Sequence, residues 1–492
     1  MNEQRLTQGE LENYLWGAAT LLRGLVDAGD YKQFIFPLLF FKRISDVFDE
    51  ERAEALARYG EKELAAKPEN HLFQIPDSAH WEDVRKAPAD IGSAIAMAMT
   101  AIEGANSGRL NGVFGDTQWT NKERLPDATL RNLVEHFSSQ ELSIARVPED
   151  ELGQAYEFLV KKFADDSGHT AQEFYTNRTL VRLMTLMLKP RPEESVYDPT
   201  CGTGGMLVSA VAELRREGLE HRSIRLYGQE RNVMTSAIAR MNLFLHGIED
   251  FEIARGDTLS APAFHTDDRL ATFDVILANP PYSIKQWDRT AFMNDKWGRN
   301  LWGTPPQSRA DYAFFQHIAA SLDPMTGRGA ILFPHGVLFR NDERALRERL
   351  IRSGLLECVL GLGPGLFYNS PMEACVVILR THRPAARRDK VLFINAVSEL
   401  KRARGQSFLS DANITRIHAA FEAFEDEKGF TAVVRTEDLL TNDALLAIPQ
   451  YVIKSSDGDE RADIGELLAD WRRTEAAARE SVGQLLSVSE VL

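Results

Sequence analysis

One short turn in the middle of the chain carries the groups needed to hold a planar amino group. The apolar run 273–278 ends in Asn279-Pro280-Pro281-Tyr282. The two prolines fix φ and prevent the chain from continuing as strand or helix, so the Asn279 side chain and the Pro280 carbonyl are held in a rigid turn. Their oxygens can accept both hydrogens of the amine and aim its lone pair at an electrophile, while Tyr282 can stack on the attached ring. The turn predicts group transfer by positioning and hydrogen bonding, without a strong base.

A glycine-rich segment nearer the N-terminus predicts where the electrophile binds. An apolar run ends in Asp198, and the segment 201–205, with the sequence Cys-Gly-Thr-Gly-Gly, leads into a helical pattern. Glycines permit a tight turn and close approach of a ligand, and a helix N-terminus offers free N–H groups. A carboxylate at this point would repel a pyrophosphate, but it suits a ligand that carries an ammonium and a sulfonium.

Two further acids end the next two predicted strands. Glu230 lies at the distance past the glycines that is usual for binding ribose hydroxyls, and Asp257 can accept a hydrogen bond from an adenine amino group. The carboxyl ends of parallel strands are where such sheets bind ligands. We therefore predict S-adenosyl-L-methionine, rather than NAD, as the cofactor. The alternative is that each acid only caps a helix or a turn.

The elements that position these residues follow from the spacing of apolar side chains. Between about 151 and 385, short apolar runs alternate with stretches of helical periodicity. This pattern is typical of an α/β fold with a doubly wound, mostly parallel, Rossmann-like sheet. The predicted strands cover 195–197, 223–227, 251–254, 273–278, 329–333, 355–361 and 374–379, and the predicted helices between them cover 205–217, 233–246 and 312–322. The last two strands are close enough for a hairpin at the sheet edge.

The rest of the chain divides around this region. Residues 1–150 predict a helical N-terminal domain, including a helix over 31–50 that is apolar nearly all round. The catalytic domain is expected at 151–385 and a looser C-terminal extension at 386–460. Residues 461–492 predict an amphipathic helix whose apolar stripe includes Trp471. This stripe docks either on its own chain or on a partner.

Composition restricts the partners and the compartment. A protein that binds DNA without a partner protein is usually basic, whereas this chain has a net charge of −15. An acidic chain that acts on DNA must therefore concentrate its basic residues locally or bind a basic partner. Three cysteines without metal-like spacing predict neither a disulfide framework nor a metal site. No apolar run approaches the ~18 residues of a membrane span, and the N-terminus lacks a secretory signal, so we expect a cytoplasmic protein without membrane association.

Taken together, the motifs resemble those of the amino-methyltransferases, and more closely those of the modification subunits of type I restriction–modification systems, in the N6-adenine class. The resemblance covers nearly the whole chain. It is carried by the segments 15–46, 168–178, 198–205, 279–282, 442–443 and 448–452. The chain departs from the family at Asn177, where proline is more usual, and at Tyr368–Glu373, where a Gly-rich stretch followed by Ile-Pro is usual.

The resemblance implies a set of site residues. The implied catalytic residues are Asn279, Pro280, Pro281 and Tyr282. The implied cofactor-binding residues are Glu173, Phe174, Tyr175, Thr176, Asn177, Arg178, Asp198, Cys201, Gly202, Thr203, Gly204, Gly205, Glu230 and Asp257.

Asp311, Phe314 and Phe315 are expected to be core residues behind the catalytic strand. Basic and tryptophan side chains near the turn are either phosphate contacts or parts of a solvated loop: Lys161, Lys162, Lys285, Trp287, Arg289, Lys296, Trp297 and Arg299.

The same resemblance implies the reaction and the partners. It implies transfer of a methyl group to N6 of an adenine in double-stranded DNA, which must first be flipped out of the helix. A separate specificity subunit would read the sequence, clamped by two modification subunits, with or without a restriction subunit. Three alternatives stay open: a non-catalytic scaffold subunit, a protein glutamine N5-methyltransferase, which presents the same Asn-Pro-Pro-Tyr turn to an amide nitrogen, and a subunit of a related defence system.

Overall fold

The fold was obtained as a computed structural model that describes residues 5–166, 176–366, 373–402 and 407–452. Its strands are β1 (Ser195–Asp198), β2 (Arg225–Glu230), β3 (Phe251–Arg255), β4 (Val275–Ala278), β5 (Arg328–Pro334), β6 (Leu356–Leu362), β7 (Ala374–Arg380), β8 (Lys390–Ala396), β9 (Lys401–Arg402), β10 (Ser407–Phe408) and β11 (Thr431–Arg435). Nine of these form one sheet, in the order β11-β8-β6-β7-β5-β4-β1-β2-β3, and β9 and β10 form a separate ribbon.

The five strands that carry the predicted site run parallel. β1 pairs with β2 and β4, β2 pairs with β3, and β4 pairs with β5, all in parallel register. The chain therefore winds outward from β1 in both directions, and a ligand site is expected where the winding reverses, between β1 and β4. This arrangement confirms the predicted doubly wound, mostly parallel α/β sheet.

The C-terminal half of the sheet differs from the prediction in one respect. β6 and β7 do form an antiparallel hairpin, but β7 lies between β5 and β6, and β8 and β11 continue the sheet beyond them. The hairpin is therefore not at the edge. The region after residue 385, expected to be looser, supplies two strands of this sheet, β8 and β11, and the run 391–394 within β8 is apolar and fully buried. The predicted helix over 461–492, with Trp471, lies outside the described residues.

Helices cover both faces of the sheet and build the N-terminal region. The N-terminal helices are α1 (Gln8–Thr20), α2 (Tyr31–Tyr59), α3 (Lys62–Ala65), α4 (Trp81–Lys86), α5 (Ile91–Ala105), α6 (Asp127–Ser138) and α7 (Glu149–Asp166). The others are α8 (Arg178–Leu188), α9 (Gly205–Arg216), α10 (Val233–Leu245), α11 (Arg289–Met293), α12 (Asp311–Ala320), α13 (Arg344–Arg352), α14 (Asp411–Ala423) and α15 (Thr436–Thr441). None of the helices in the described ranges is long and apolar enough to cross a membrane.

Alternate side chains along the strands enter two different cores. Val196, Val275 and Leu277 pack with α8, α9 and α14, whereas Tyr197 and Ile276 pack with α12, α13 and α15. A parallel sheet buried on both faces is expected to have such continuous apolar strands. The N-terminal helices have a core of their own, which α10 joins. α2 is buried nearly all round through its first half, as predicted.

Candidate active site

The first element of the site is the acid at the end of β1. Asp198 is 2 % exposed, and its Oδ1 accepts a 3.0 Å hydrogen bond from the backbone N–H of Thr200. Burial raises the pKa of Asp198, the Thr200 N–H opposes the rise and the neighbouring carboxyl of Glu230 adds to it, so that the pKa lies at about 8. A cationic ligand at this point would stabilise the carboxylate form.

The turn after Asp198 needs its glycines. Gly202 and Gly204 adopt φ of +54° and +80°, in the left-handed region that glycine occupies at no steric cost. Gly204 is the N-cap of α9, and a Cβ added to the next residue, Gly205, would meet no protein atom within 4 Å. The turn therefore leaves open space at the start of the helix. Burial raises the pKa of the Cys201 thiol well above its usual value, which keeps it protonated and unreactive.

The acids at the ends of β2 and β3 lie beside this turn. The carboxylate of Glu230 accepts hydrogen bonds from the backbone N–H groups of Gly202, at 3.1 Å, and Asn232, at 2.8 Å. Burial raises its pKa, against the lowering effect of these N–H groups. Asp257 accepts from the N–H of Leu259 at 2.9 Å, and its other oxygen lies 3.5 Å from the Arg231 guanidinium.

Two cavities meet at the glycine turn. One, of about 530 Å³, is lined by Glu230 and Asp257 and also by Tyr282 of the predicted catalytic turn. The other, of about 540 Å³, is lined by Asp198 and Gly205 and extends along α9. The residues that line both cavities are Thr200, Gly202 and Asn279. The predicted catalytic amide therefore lies at the junction of the two cavities.

Hydrogen bonds at both ends of the amide fix the orientation of Asn279. Its Nδ2 donates to Oγ1 of Thr176 at 2.9 Å, and its Oδ1 accepts from the Tyr282 hydroxyl at 2.7 Å. Burial raises the pKa of Tyr282 well above its usual value, so the hydroxyl remains a donor. With Nδ2 donating to Thr176 and Oδ1 accepting from Tyr282, the amide is held at both ends.

Of the cofactor-binding residues predicted before β1, some lie at the two cavities and one does not. Thr176 touches Asn279, as described above. Arg178 lines the second cavity and forms an ion pair with Glu157 of α7. Asn177 caps α8 through its Oδ1, donates to the Ser407 carbonyl at 3.0 Å and lines neither cavity. Glu173, Phe174 and Tyr175 lie outside the described residues.

Some residues of the first cavity were missed or assigned another role. Arg231, Thr258 and Ile284 line it without having been predicted, and the only local signal was their position beside Glu230, Asp257 and Tyr282. Trp287 also lines it, although it was weighed only as a phosphate-loop residue. Phe314 is buried, as expected of a core residue, and it lines the same cavity.

Arg299 is not placed to meet a phosphate. Its side chain is 2 % exposed, forms an ion pair with Asp295 and donates to the backbone carbonyls of Thr258 and Leu259, each at 2.9 Å. It also lies over the ring of Trp297. The loop after the catalytic turn is thus fixed to the loop after β3. Both alternatives left open for Arg299, a phosphate contact and a residue of a solvated loop, were wrong, because its side chain is buried.

The family follows from comparison with known proteins. The N-6 DNA methylase family matches residues 147–460, well over half of the chain. This chain belongs to the N-6 DNA methylase family. The HsdM N-terminal domain family matches residues 11–137, within the helical region.

Three relatives of this N-6 DNA methylase are similar to it along most of their length. It is 31% identical to the type I restriction enzyme MjaVIII methylase subunit of Methanocaldococcus jannaschii, over 96% of this chain and 82% of the relative. It is 28% identical to the HindI methylase subunit of Haemophilus influenzae, over 80% of this chain and 93% of that one. The methyltransferase subunit of a type I restriction–modification system from Streptococcus thermophilus superposes with a TM-score of 0.79 at 29% identity, over 91% of this chain and 100% of that chain. The predicted family is confirmed.

Proposed function

We propose that this chain transfers the methyl group of S-adenosyl-L-methionine to N6 of a flipped-out adenine in double-stranded DNA. It acts as the modification subunit of a type I restriction–modification complex whose specificity subunit reads the sequence. One observation carries the proposal. Asn279 lies where the cavity lined by Glu230 and Asp257 meets the cavity lined by Asp198 and Gly205. The Asn279 amide at this junction would face a nucleoside bound in one cavity and a second group that enters beside it.

The acids that line the two cavities suit the proposed cofactor. Each carboxylate oxygen has more than one acceptor site, so Glu230 can accept from ribose hydroxyls while it keeps its bonds to Gly202 and Asn232. Asp257 can accept from the adenine amino group. Asp198 offers a buried carboxylate toward the ammonium and the sulfonium, and a negative charge there would oppose the pyrophosphate of a dinucleotide. When bound, the cofactor supplies an electrophilic methyl group.

Asn279 and Tyr282 would act on the target base. The Asn279 Oδ1 and the Pro280 carbonyl accept the two N6 hydrogens, which turns the nitrogen lone pair toward the methyl group. Tyr282 stacks on the adenine ring. Formation of the N6–CH3 bond would break the S–CH3 bond and leave the neutral thioether S-adenosyl-L-homocysteine, and the nitrogen would lose one proton to solvent, so no basic side chain is required. Catalysis is then positioning and stabilisation of developing charge.

The partners of this chain follow from its charge and its family. A net charge of −15 does not favour DNA binding by the isolated chain. A specificity subunit clamped by two copies of this chain would supply the sequence-reading surface. The relatives are named as methylase subunits of type I restriction enzymes, which is consistent with this arrangement.

The experiment is methylation with and without the partner. The chain is expressed with its specificity subunit in a host that lacks adenine methylation, and N6-methyladenine is mapped in the genomic DNA. We expect modification at one sequence only when both subunits are present, and none with Asn279→Ala. Asn294→Ala is the matched control, because Asn294 is exposed and lines neither cavity.

Other outcomes would favour other functions. Methylation of a protein instead of DNA would indicate a protein glutamine methyltransferase. Cofactor binding by a folded complex that never methylates DNA would indicate a scaffold subunit. Equal modification by Asn279→Ala and by the wild-type chain would disprove the proposed role of the turn.

A further inference from the structure

We propose, on the basis of the function proposed above, that Asp311 and Arg340 are positioning residues for the catalytic turn. Asp311 holds the backbone immediately after Tyr282, and Arg340 holds Asp311. Neither residue lines either cavity, so both act through Ser283 and not on cofactor or base.

The backbone after Tyr282 is strained. Ser283 adopts φ of +52°, in the left-handed region that costs a residue with a Cβ on the order of 1 kcal/mol. Such a conformation persists only where its surroundings fix it. Here the Ser283 N–H donates a 2.6 Å hydrogen bond to Oδ1 of Asp311. This contact spans 28 residues and ties the catalytic turn to the first residue of α12.

Asp311 is in turn held by one cation. It is 1 % exposed, and its Oδ2 accepts a 2.7 Å hydrogen bond from Nη1 of Arg340. Breaking a buried ion pair by removing one partner is strongly destabilising, so Arg340 holds Asp311 in place beside the turn. Arg340 lies between two acids, since the fully buried Glu343 is 3.6 Å from its guanidinium.

The contacts continue to the C-terminal end of the described chain. The carbonyl of Arg340 accepts a 2.6 Å hydrogen bond from Nη1 of Arg347, which is 0 % exposed. Arg347 also donates to the carbonyl of Ala444 at 3.0 Å. A continuous series of polar contacts therefore joins the segment around 442–452 to the catalytic turn. This series gives that segment, which has no residue in either cavity, a physical connection to the site.

The expected consequence is on the rate of methyl transfer and not on binding. Oδ1 of Asn279 and the carbonyl of Pro280 must be placed to a fraction of an ångström to align the amine, and a displacement of about 1 Å can cost on the order of a hundredfold in rate. Cofactor binding depends on Asp198, Glu230 and Asp257, which Asp311 does not touch.

The test compares variants in the complex with the specificity subunit, on DNA that carries the target mapped with the wild-type chain. Asp311→Ala and Arg340→Met should lower the single-turnover rate at least tenfold, with the cofactor Kd unchanged within about twofold. Arg340→Lys, which keeps the charge, should recover most of the rate. The matched control is Glu357→Gln, which breaks the ion pair of a fully buried acid with Arg380 in β7. It should lower Tm and leave the rate within about twofold of wild type.

The outcomes separate this inference from the function on which it rests. If the wild-type complex does not methylate DNA, the proposed function fails. If it does, and Asp311→Ala slows transfer no more than Glu357→Gln, the positioning role is overturned. Should Asp311→Ala fail to fold, the Arg340 variants decide, because they leave Asp311 in place: a normal rate in Arg340→Met overturns the inference equally.

Discussion

The hydroxyl of Tyr282 donates a 2.7 Å hydrogen bond to Oδ1 of Asn279. The two side chains that we propose to act on the target base are thus joined to each other before any base is present. The amide oxygen has a second lone pair, so it can keep this bond and still accept from an amine. Because Thr176 accepts from Nδ2 at the other end of the amide, Oδ1 of Asn279 is already directed toward Tyr282.

Replacing Tyr282 should separate orientation from stacking. Tyr282→Phe keeps the ring but removes one hydrogen bond, which is worth about 1 kcal/mol, so we expect the methylation rate to fall about fivefold. Tyr282→Ala also removes the stacking surface, worth roughly 1–3 kcal/mol per base. We therefore expect kcat/KM to fall a further tenfold or more, mainly because the KM for DNA rises. Steady-state kinetics on the mapped target would measure both. Equal losses in the two variants would contradict a stacking role.

A substitution in the glycine turn should weaken cofactor binding without lowering the thermal stability of the protein. Gly205 begins α9 with helical geometry, and an added Cβ would point into the cavity that Gly205 lines, touching no protein atom within 4 Å. Gly205→Ala should therefore keep or raise Tm, because alanine favours a helix by up to about 1 kcal/mol over glycine. The cofactor Kd should rise at least tenfold by calorimetry.

The matched control for that variant is in the N-terminal region. Gly104 lies near the end of α5, where an added Cβ also meets no atom within 4 Å. Gly104→Ala should give a similar change in Tm and an unchanged cofactor Kd. Cofactor binding by Gly205→Ala at wild-type strength would show that the cofactor does not occupy the start of α9.

The buried acid of β1 predicts a proton linked to cofactor binding. With a pKa of about 8, Asp198 is mostly protonated at pH 7 in the free protein. A cationic ligand favours the carboxylate, so binding should release a proton, and affinity should rise with pH until about pH 8. Calorimetry at pH 7 in two buffers of different ionisation enthalpy would count that proton. The ligand's own amino group titrates in the same range, so Asp198→Asn is the necessary control. Equal proton release by both proteins would contradict the linkage.

The same raised pKa has an effect on stability, in the opposite direction. The unfolded chain ionises Asp198 near its ordinary value of 3.8, whereas the folded protein holds the proton until about pH 8. The favourable contribution of the protonated group is therefore complete below about pH 4 and is lost as pH rises through 8. Without cofactor, the Tm of Asp198→Asn should gain on that of the wild type from pH 5 to pH 8. A constant difference in Tm would rule out the raised pKa.

The sequence predicts the strands and their acids well, because both depend on local patterns. The seven predicted strands of the catalytic region are present, with Asp198 and Glu230 at strand ends. The contacts that orient the turn are not local: Asn279 and Thr176 are 103 residues apart, and Ser283 and Asp311 are 28 apart. Nothing in the spacing of such residues indicates that they meet. Arg299 was misjudged because arginine in a polar loop is usually exposed.

Arg299 and Asp295 give a final prediction, on how the loop after the catalytic turn is held. Both side chains are at most 2 % exposed and form an ion pair, so Arg299→Met leaves Asp295 buried without its cation. Breaking a buried pair in this way costs about 3–5 kcal/mol of the free energy of unfolding, whereas replacing both partners by apolar residues is often close to neutral. We expect Arg299→Met to be strongly destabilised in urea and the double variant Asp295→Leu, Arg299→Met to recover most of the loss.

The same variants should also weaken cofactor binding, because Arg299 donates to the carbonyls of Thr258 and Leu259, which line the first cavity. Neither apolar replacement restores those two hydrogen bonds. The double variant should therefore regain stability without regaining the wild-type cofactor Kd. A double variant that is no more stable than Arg299→Met would show that the unpaired acid is not the cause. A double variant that binds cofactor normally would show that the hydrogen bonds from Arg299 to the loop after β3 are not needed for cofactor binding.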